Sequence, residues 1–306
     1  MRLLFLSLLC TFLCTCGRAQ KTDTTAYREL LNLAYLPTGD SLQMLNLVLP
    51  ETTEKPPLLL WLGGGAWAFV NRHQEMPLAR KIAREGVAVA SVGHRLSTAA
   101  WVAPERTEGV QHPAHAEDAA AAFHWLRTHA EEYGYDSERI FIGGYSCGAH
   151  LAAILGSDQQ FLAKYGYCLS DIGGLLPIAG AYDIEAYHRV FAEHENPERR
   201  VLAEQHVEAV FGSTLEEWKI ASPTEYIEHL AVPMLLVSEI GLYRYTKIYE
   251  EALRASDYRD ATIYHVLDLN HGGLWQDLAH NEDSRHRAVM VDFVKKTNRP
   301  TAPKDQ

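Results

Sequence analysis

Gly144 and Gly148 flank Ser146 in the pentapeptide Gly-Tyr-Ser-Cys-Gly, and this serine is the most reactive candidate in the chain. Residues 139–143 before it are rich in β-formers, and residues 149–155 after it are mostly helix formers. A serine in this strand–turn–helix context is typical of a nucleophile that attacks a carbonyl carbon. The turn is tight and needs small residues on both sides, which the two glycines supply. The motif therefore predicts covalent catalysis through Ser146.

Three consecutive glycines, residues 63–65, follow the apolar residues 57–62. Glycine lets the backbone turn its amides towards a bound oxygen without obstruction by a side chain. Acyl transfer to a serine needs such donors, because the tetrahedral intermediate carries an oxyanion. We expect the amides of Gly64, Gly65 and Cys147 to form this oxyanion hole.

His271 is the candidate general base among fifteen histidines. It follows the last predicted strand and precedes the last predicted helix, which gives the chain order serine, acid, histidine. It would take the Ser146 proton and return it to the leaving alcohol. His150, one helical turn after Ser146, is expected to pack behind the turn. His112 and His115 form an H-x-x-H pattern with no evident third ligand, so no metal site is predicted.

The elements that must position these residues alternate between strands and helices. Continuous apolar runs predict strands that are buried on both faces. The predicted strands are 43–49, 57–62, 86–92, 140–143, 172–179, 232–237 and 261–267, and the predicted helices are 114–133 and 284–296. This alternation indicates an α/β fold with a mostly parallel central sheet and helices on both faces. The polar residues 184–230 interrupt it and predict a helical insertion, either a lid over the site or a solvated excursion.

The 306 residues are enough for one large domain. Residues 1–19 combine an arginine, an apolar run and then small residues, as a secretory signal peptide does. Lipid attachment at Cys16 is the alternative processing. We predict a catalytic domain over residues 20–296 and a disordered tail over 297–306, in a protein that is secreted or periplasmic in a bacterial envelope.

The chain is acidic, with a formal net charge of −11, which becomes −13 when residues 1–19 are removed with their two arginines. It lacks the basic surface that nucleic acid or anionic lipid requires. We therefore expect no nucleic-acid partner, and no membrane partner unless Cys16 is lipidated. Of five cysteines, only Cys147 and Cys168 lie beyond the signal peptide, which excludes a disulfide scaffold. The sequence leaves open whether these two are paired.

In order and spacing, these motifs resemble the α/β-hydrolase fold, in particular secreted carboxylesterases of the hormone-sensitive-lipase-like and feruloyl-esterase-like kind. The resemblance covers roughly residues 33–296. It is carried by residues 61–67, 94–97, 113–118, 133–139, 144–152, 181–183, 222–223 and 270–271. It implies a serine esterase without a cofactor, acting on a small-molecule or glycan-linked ester through an acyl-enzyme. The family usually has a histidine before its glycines, where this chain has Gly63 or Leu62, so we expect a looser loop here.

The acid of the catalytic triad is not evident from the sequence. The family places an aspartate in the loop after the predicted strand 232–237, where this chain has Gly241 or Leu242. Glu239 in the same loop and Asp183 after an earlier strand are the alternative acids. A Ser–His dyad and a protein without catalysis are the other possibilities. The acid matters because it fixes the histidine tautomer and stabilises the imidazolium.

Three functions remain open at this point. Ester hydrolysis is the first expectation. Non-catalytic ligand binding on the same scaffold is the second, because the histidine and aspartate of the family are missing. Amide hydrolysis of the arylformamidase kind is the third, because its motifs are similar. Trp67, Tyr145 and Trp275 are candidate substrate-binding residues and favour an aromatic or sugar-linked ester, although a fold alone does not select a substrate.

Overall fold

A computed structural model describes residues 25–297 of the chain. The predicted signal peptide, the alternative lipid site at Cys16 and the predicted tail from residue 298 onward lie outside the described residues. Within the described range, no helix is long and apolar enough to cross a bilayer. One central sheet with helices on both faces organises this part of the chain, as predicted.

Eight strands form the sheet, in the order β1-β2-β4-β3-β5-β6-β7-β8. They are β1 (Tyr27–Ala34), β2 (Met44–Pro50), β3 (Leu58–Leu62), β4 (Ala88–Val92), β5 (Ile140–Tyr145), β6 (Leu175–Ile178), β7 (Met234–Glu239) and β8 (Ala261–Val266). β2 is antiparallel to both of its neighbours, and the strands from β3 to β8 are parallel to one another. The prediction of a mostly parallel sheet is confirmed.

The helices lie mainly in the connections between parallel strands. The α-helices of the described residues are α1 (Met76–Arg84), α2 (Ala114–Tyr133), α3 (Cys147–Ser157), α4 (Gln159–Ala163), α5 (Ile184–Ala192), α6 (Pro197–Leu202), α7 (Ala209–Phe211), α8 (Leu215–Ile220), α9 (Tyr243–Ala255), α10 (His271–His280) and α11 (Arg285–Lys296). Leu169–Asp171 and Pro223–His229 are 3-10 helices, and Ala203–Glu208 is a π-helix. The predicted helix 114–133 is confirmed with its bounds.

The two faces of the sheet have separate apolar cores, which explains why the central strands are mostly apolar. In β3, Leu58, Leu60 and Leu62 face the core that contains α2 and α3. Leu59 and Trp61 face the core that contains α1, α10 and α11. Successive side chains of a strand point to opposite faces, so a strand that is covered on both sides is apolar at most of its positions.

The carboxyl ends of the parallel strands bring the candidate residues to one edge of the sheet. β3 and β5 pair in register with Leu62 opposite Gly144, so the glycine loop and the turn at Ser146 leave the sheet side by side. Glu239 is the last residue of β7, and His271 follows β8. Ligands of open α/β sheets bind at this edge.

The predicted insertion over residues 184–230 is confirmed as helical and contains α5 to α8. It lies beside the glycine loop, where it covers the Trp67 ring. The ring centroid of Trp67 lies 4.9 Å from that of Phe211, 5.9 Å from that of His206 and 6.3 Å from that of Tyr187. The insertion is therefore packed against the edge of the site.

Some bounds and elements differ from the sequence prediction. The predicted strand 172–179 shortens to β6, because Gly173 and Gly174 precede its first paired residue. The predicted strand 43–49 extends through Pro50. The elements that were not predicted include β1, α1, α4, α9 and α10 and the 3-10 helix Leu169–Asp171. β1 is a partly exposed edge strand with an irregular register between Leu30 and Leu33, and so has no regular apolar alternation.

Candidate active site

Ser146 joins β5 to α3 in a strained turn. Its φ is 56° and its ψ is −116°, a conformation that non-glycine residues rarely adopt and that costs free energy. Its amide donates to the Ile178 carbonyl at 2.9 Å, and its carbonyl accepts from the Ala149 amide at 3.0 Å. Hydrogen bonds from β6 and α3 thus hold the turn, and the partly exposed serine projects from the edge of the sheet.

The glycines on either side of Ser146 are required by close approaches of the backbone. A Cβ on Gly144 would lie 2.2 Å from the carbonyl oxygen of Gly148. A Cβ on Gly148 would lie 2.0 Å from the carbonyl oxygen of Leu62. The turn therefore rests directly on the end of β3, where the glycine loop begins.

His271 is the first residue of α10. The side chain of Asn270 caps this helix by accepting from the Gly273 amide at 2.8 Å. Tyr145, the residue directly before Ser146, donates its hydroxyl to the His271 carbonyl at 2.5 Å. The rings of Tyr145 and His271 are stacked with centroids 4.9 Å apart. The last residue of β5 thus holds the candidate base beside the candidate nucleophile.

Glu239 ends β7 with a side chain that is fully buried. Its Oε1 lies 3.2 Å from His271 Nδ1 and also accepts from the Leu242 amide at 2.8 Å. Its Oε2 accepts from the Gly241 amide. Burial alone would raise the pKa of Glu239, but the hydrogen bonds from His271 and the two amides outweigh it and lower the pKa. Glu239 is therefore ionised at neutral pH.

This contact decides which nitrogen of His271 is available to Ser146. A carboxylate at Nδ1 accepts the Nδ1 proton, which leaves Nε2 as the basic nitrogen. Asp183, the alternative acid, instead caps α5 by accepting from the Ala186 amide at 2.8 Å. The structure brings Glu239 to His271, while the catalytic roles of Ser146, His271 and Glu239 remain predictions.

Two of the residues predicted to form the oxyanion hole, Gly64 and Cys147, adjoin Ser146. A Cβ on Gly64 would lie 3.5 Å from the Cβ of Ser146. Gly65 has a φ of 140° and approaches the backbone of Phe69 so closely that a Cβ would lie 2.6 Å from its carbonyl carbon. Cys147 is the first residue of α3, and the first amides of a helix have no partner within it. Both Cys147, which is buried, and Cys168, which is exposed, are free thiols.

Glu75 is a residue of the site that no sequence motif indicated. Its carboxyl lies against Gly63, where a Cβ would be 2.5 Å from Oε1. The only signal in the sequence was the missing histidine of the resembling family, whose place is taken by Gly63 or Leu62.

The three predicted substrate-binding residues have protein partners in this structure. Trp67 is 3% exposed beneath the insertion, and Tyr145 is 3% exposed against His271. Trp275 is partly exposed, with its ring centroid 5.5 Å from that of Tyr145. Tyr145 thus orients the histidine, and substrate contact by these three residues remains a prediction.

The remaining histidines near the turn are structural. His150 is fully buried behind Ser146, as predicted, and contacts the Ala221 carbonyl through Nε2 at 2.8 Å. Burial lowers its pKa to about 3, so its ring is neutral. His115 Nε2 lies 3.0 Å from the Ser97 hydroxyl. Across residues 25–297, no cluster of three His, Cys, Asp or Glu side chains is arranged to hold a metal ion.

Comparison with known families places this site in context. The BD-FAE family model matches residues 45–239, which is more than half of the chain. The matched segment contains the glycine loop, Ser146 and Glu239. It ends before His271.

Curated relatives are similar over part of their length. Gut esterase 1 of Caenorhabditis elegans is 32% identical over 131 residues, which are 42% of this chain and 23% of that protein. Esterase LipC of Mycobacterium tuberculosis is 27% identical over 194 residues, which are 60% of this chain and 44% of that protein. The matched part of this chain therefore spans less than half the length of these relatives.

Solved structures confirm the predicted α/β-hydrolase fold. Esterase B from Lactobacillus rhamnosis has a TM-score of 0.70 at 17% identity, with 88% of this chain and 85% of that chain covered. A bacterial heroin esterase has a TM-score of 0.66 at 23% identity, with 91% and 86% covered. At these identities the likeness concerns the fold.

Proposed function

Since the chain belongs to the BD-FAE family, we propose that it is a serine esterase that hydrolyses carboxylic esters through an acyl-enzyme on Ser146. One observation carries this proposal: the connected contacts from Glu239 to His271 and from His271 to Tyr145, the neighbour of Ser146. The relatives named above are esterases, which supports the same class of reaction.

In the first step, Ser146 Oγ attacks the ester carbonyl carbon while His271 Nε2 takes the hydroxyl proton. The carbonyl π bond becomes a lone pair on oxygen, and the carbon becomes tetrahedral. Glu239 stabilises the imidazolium through Nδ1, because a carboxylate with a lowered pKa keeps its charge at neutral pH.

The negative oxygen of the intermediate then needs donors. The amides of Cys147, Gly64 and Gly65 are the donors in this proposal, and the amino end of α3 favours negative charge beside Ser146. As the oxyanion collapses, the bond to the leaving oxygen breaks. His271 donates its proton to that oxygen, so the alcohol leaves neutral.

Water completes the cycle by the same route in reverse. His271 Nε2 takes a proton from a water molecule, whose oxygen attacks the acyl carbon. The second tetrahedral intermediate expels Ser146 Oγ, which regains the proton from His271. The products are a carboxylic acid and an alcohol, and the cycle uses this chain's own residues throughout.

The contact of Glu239 with His271 argues against the non-catalytic alternative, whose motivation was a missing acid. The amide-hydrolase alternative predicts turnover of an anilide at least as fast as of the matching phenyl ester. We expect the reverse order in a panel of p-nitrophenyl esters and p-nitroanilides. Faster anilide turnover would support the amide alternative instead.

The proposal is tested by labelling the purified protein with a fluorophosphonate and measuring its intact mass. We expect one adduct on the wild type and none on Ser146→Ala. Ser41→Ala, which removes an exposed serine, is the matched control and should label like the wild type. A wild type that stays unlabelled, or a Ser146→Ala variant that labels equally well, would refute the proposal.

For the substrate, we propose a small-molecule or glycan-linked ester, supported by the partly exposed Trp275 near the site. Acetylated sugars and simple aryl acetates, compared by kcat/KM, separate the two. A higher kcat/KM for the acetylated sugars would support a glycan-linked ester, and a higher kcat/KM for the aryl acetates would support a small-molecule ester.

We also propose export to the bacterial envelope, supported by the pattern of residues 1–19. Expression in a bacterial host should yield a chain that starts at Gln20 outside the cytoplasm. A lipid-modified Cys16 would indicate the alternative processing, and an intact Met1 in the cytoplasm would contradict export.

A further inference from the structure

Position 63 has no side chain, and a carboxyl group from another part of the chain occupies the space beside it. A Cβ built on Gly63 would lie 2.5 Å from Oε1, 2.7 Å from Cδ and 2.9 Å from Cγ of Glu75. Glu75 is the N-cap residue of α1, at the end of the segment that follows the glycine loop. A side chain at position 63 and the Glu75 carboxyl therefore exclude each other.

The Glu75 carboxyl is isolated from solvent and from cations. Glu75 is 4% exposed, and its Oε2 accepts from the Trp61 indole nitrogen at 2.7 Å. Among residues 25–297, no lysine, arginine or histidine forms an ion pair with it. A buried carboxyl with one neutral donor favours its neutral form. Burial accordingly raises the pKa of Glu75 to about 7, although the hydrogen bond from Trp61 acts in the opposite direction.

Two titratable groups of the catalytic turn face this carboxyl. Burial raises the pKa of the Cys147 thiol to about 12, and the charge of Glu75 contributes to that rise. Burial raises the pKa of Tyr145, with contributions from the charges of Glu239 and Glu75. The Cys147 thiol also donates to the Gly63 carbonyl at 3.5 Å. Glu75 is therefore within electrostatic range of both neighbours of Ser146.

The glycine loop is thus held between Glu75 and the nucleophile. A Cβ on Gly63 would overlap the Glu75 carboxyl, and a Cβ on Gly64 would lie 3.5 Å from the Cβ of Ser146. A change at Glu75 would be transmitted to the loop amides that we assign to the oxyanion hole. Small displacements of such donors have large effects on rate, because they act in the transition state.

We propose that Glu75, as a neutral carboxylic acid, positions the oxyanion loop by filling the space that the glycine at position 63 leaves. Glu75 is a positioning residue, because it acts through the loop and does not touch the ester. This inference rests on the proposed esterase function. It adds that Glu75 supports the oxyanion loop and that the rate depends on the protonation of Glu75.

Ionisation of Glu75 would place a negative charge behind the amides that hold the oxyanion. The tetrahedral intermediate is negative and the bound ester is neutral, so repulsion would lower kcat and leave KM nearly unchanged. For two charges roughly 10 Å apart at an effective dielectric constant of about 20, the expected loss is on the order of tenfold.

The test compares kcat and KM of the wild type and Glu75→Gln with p-nitrophenyl butyrate, from about pH 5.5 to about pH 9. Glutamine keeps an oxygen for the Trp61 indole but cannot ionise. We expect the wild-type kcat to fall on the alkaline side with an apparent pKa near 7, while Glu75→Gln retains its kcat. The ratio of the variant kcat to the wild-type kcat should rise from about one to on the order of ten, with KM unchanged.

Two further variants make the comparison specific. Glu75→Ala should lower kcat on the order of tenfold at every pH, because the loop loses its support. Glu54→Gln changes an exposed glutamate and should follow the wild-type profile. If Glu75→Ala does not fold, the Glu75→Gln profile alone decides.

The outcomes separate this inference from the function on which it rests. An active wild type whose alkaline profile is unchanged in Glu75→Gln would overturn the role of Glu75 alone. A folded wild type without esterase activity at any pH would overturn the proposed function and this inference together.

Discussion

Two glutamates lie buried near Ser146, and their pKa values are shifted in opposite directions. Glu239 is 1% exposed and Glu75 is 4% exposed, so depth does not distinguish them. Glu239 accepts hydrogen bonds from His271 and two backbone amides, which lower its pKa in spite of burial. Glu75 accepts from the Trp61 indole, and burial raises its pKa to about 7. The number and charge of the donors decide the ionisation state of a buried carboxyl.

The difference in pKa is consistent with the position of each carboxyl in the proposed site. Glu239 lies at the imidazole that becomes positive in the proposed reaction, where a negative charge stabilises the intermediate. Glu75 lies behind the loop that faces the developing oxyanion, where a negative charge would destabilise it.

The largest effect is expected from neutralising Glu239. Glu239→Gln places an amide at Nδ1, which can favour the wrong tautomer of His271 and cannot stabilise the imidazolium. By analogy with the corresponding substitution in serine proteases, we expect kcat for p-nitrophenyl butyrate to fall by about 10⁴-fold. Steady-state kinetics measure this loss when kcat is calculated from the concentration of folded protein in each preparation.

Asp183→Asn is the matched control for Glu239→Gln, because Asp183 was the alternative acid and caps α5. We expect a cost in stability of about 1 kcal/mol or less, since asparagine also caps helices well, and little change in kcat. A larger loss of kcat in Asp183→Asn than in Glu239→Gln would assign the acid to Asp183.

The next effect concerns the free energy of unfolding. Its dependence on pH has opposite signs for Glu75 and Glu239. The pKa of Glu75 is raised from 4.5 to about 7 on folding, so the folded state binds the proton more tightly. Its contribution to stability is complete below about pH 4.5 and is lost as pH rises through about 7. The loss amounts to about 3 kcal/mol. Glu75→Gln should flatten this decline when urea unfolding is measured between about pH 5 and about pH 8.

Glu239 provides the contrasting case. Its pKa is lowered on folding, so its contribution to stability is present above the pKa of the unfolded chain and is lost as pH falls through the folded pKa. Glu239→Gln should therefore change the acid side of the stability profile, and Glu75→Gln the neutral side. If both variants changed the stability on the same side of the pH profile, the assignment of opposite pKa shifts to Glu75 and Glu239 would be wrong.

The parts of the site that the sequence predicted are local in the chain. The turn at Ser146 and the glycine loop depend on a few adjacent residues, and the helix Ala114–Tyr133 on its own periodicity. Short-range sterics decide these features, since Gly144 and Gly148 must be glycine for the turn to close. The pattern of apolar strands likewise predicted the sheet, because each central strand is buried on both faces.

The rest depends on pairs that are distant in the sequence. The sequence favoured Glu239 as the acid and left Asp183 as the alternative. The register of β7 and β8 with the start of α10 brings Glu239 to His271. Glu75 reaches Gly63 through an irregular segment that no periodicity predicts. Tyr145 was expected to contact substrate, but its stacking on His271 requires the last strand and helix to be in place.

The smallest effect is expected from Tyr145, which connects the nucleophile turn to the base. Tyr145→Phe keeps the stacked ring and removes the hydroxyl that donates to the His271 carbonyl. One such hydrogen bond contributes about 1 kcal/mol, so kcat should fall about two- to tenfold with the Glu239 contact intact. Tyr135→Phe is the control, because the Tyr135 hydroxyl donates to the Leu126 carbonyl at 2.6 Å in a buried place away from the site.

Both tyrosine variants should lose similar stability in urea unfolding, and only Tyr145→Phe should lose kcat. If the Tyr145 hydroxyl contributed to stability alone, Tyr145→Phe and Tyr135→Phe would change kcat equally. Because the Tyr145 hydroxyl holds the backbone of His271 and not its ring, the loss should also be independent of pH across the range in which Glu75→Gln departs from the wild type. A loss that varied with pH in step with Glu75 would instead mean that Tyr145 transmits the charge of Glu75 to the base.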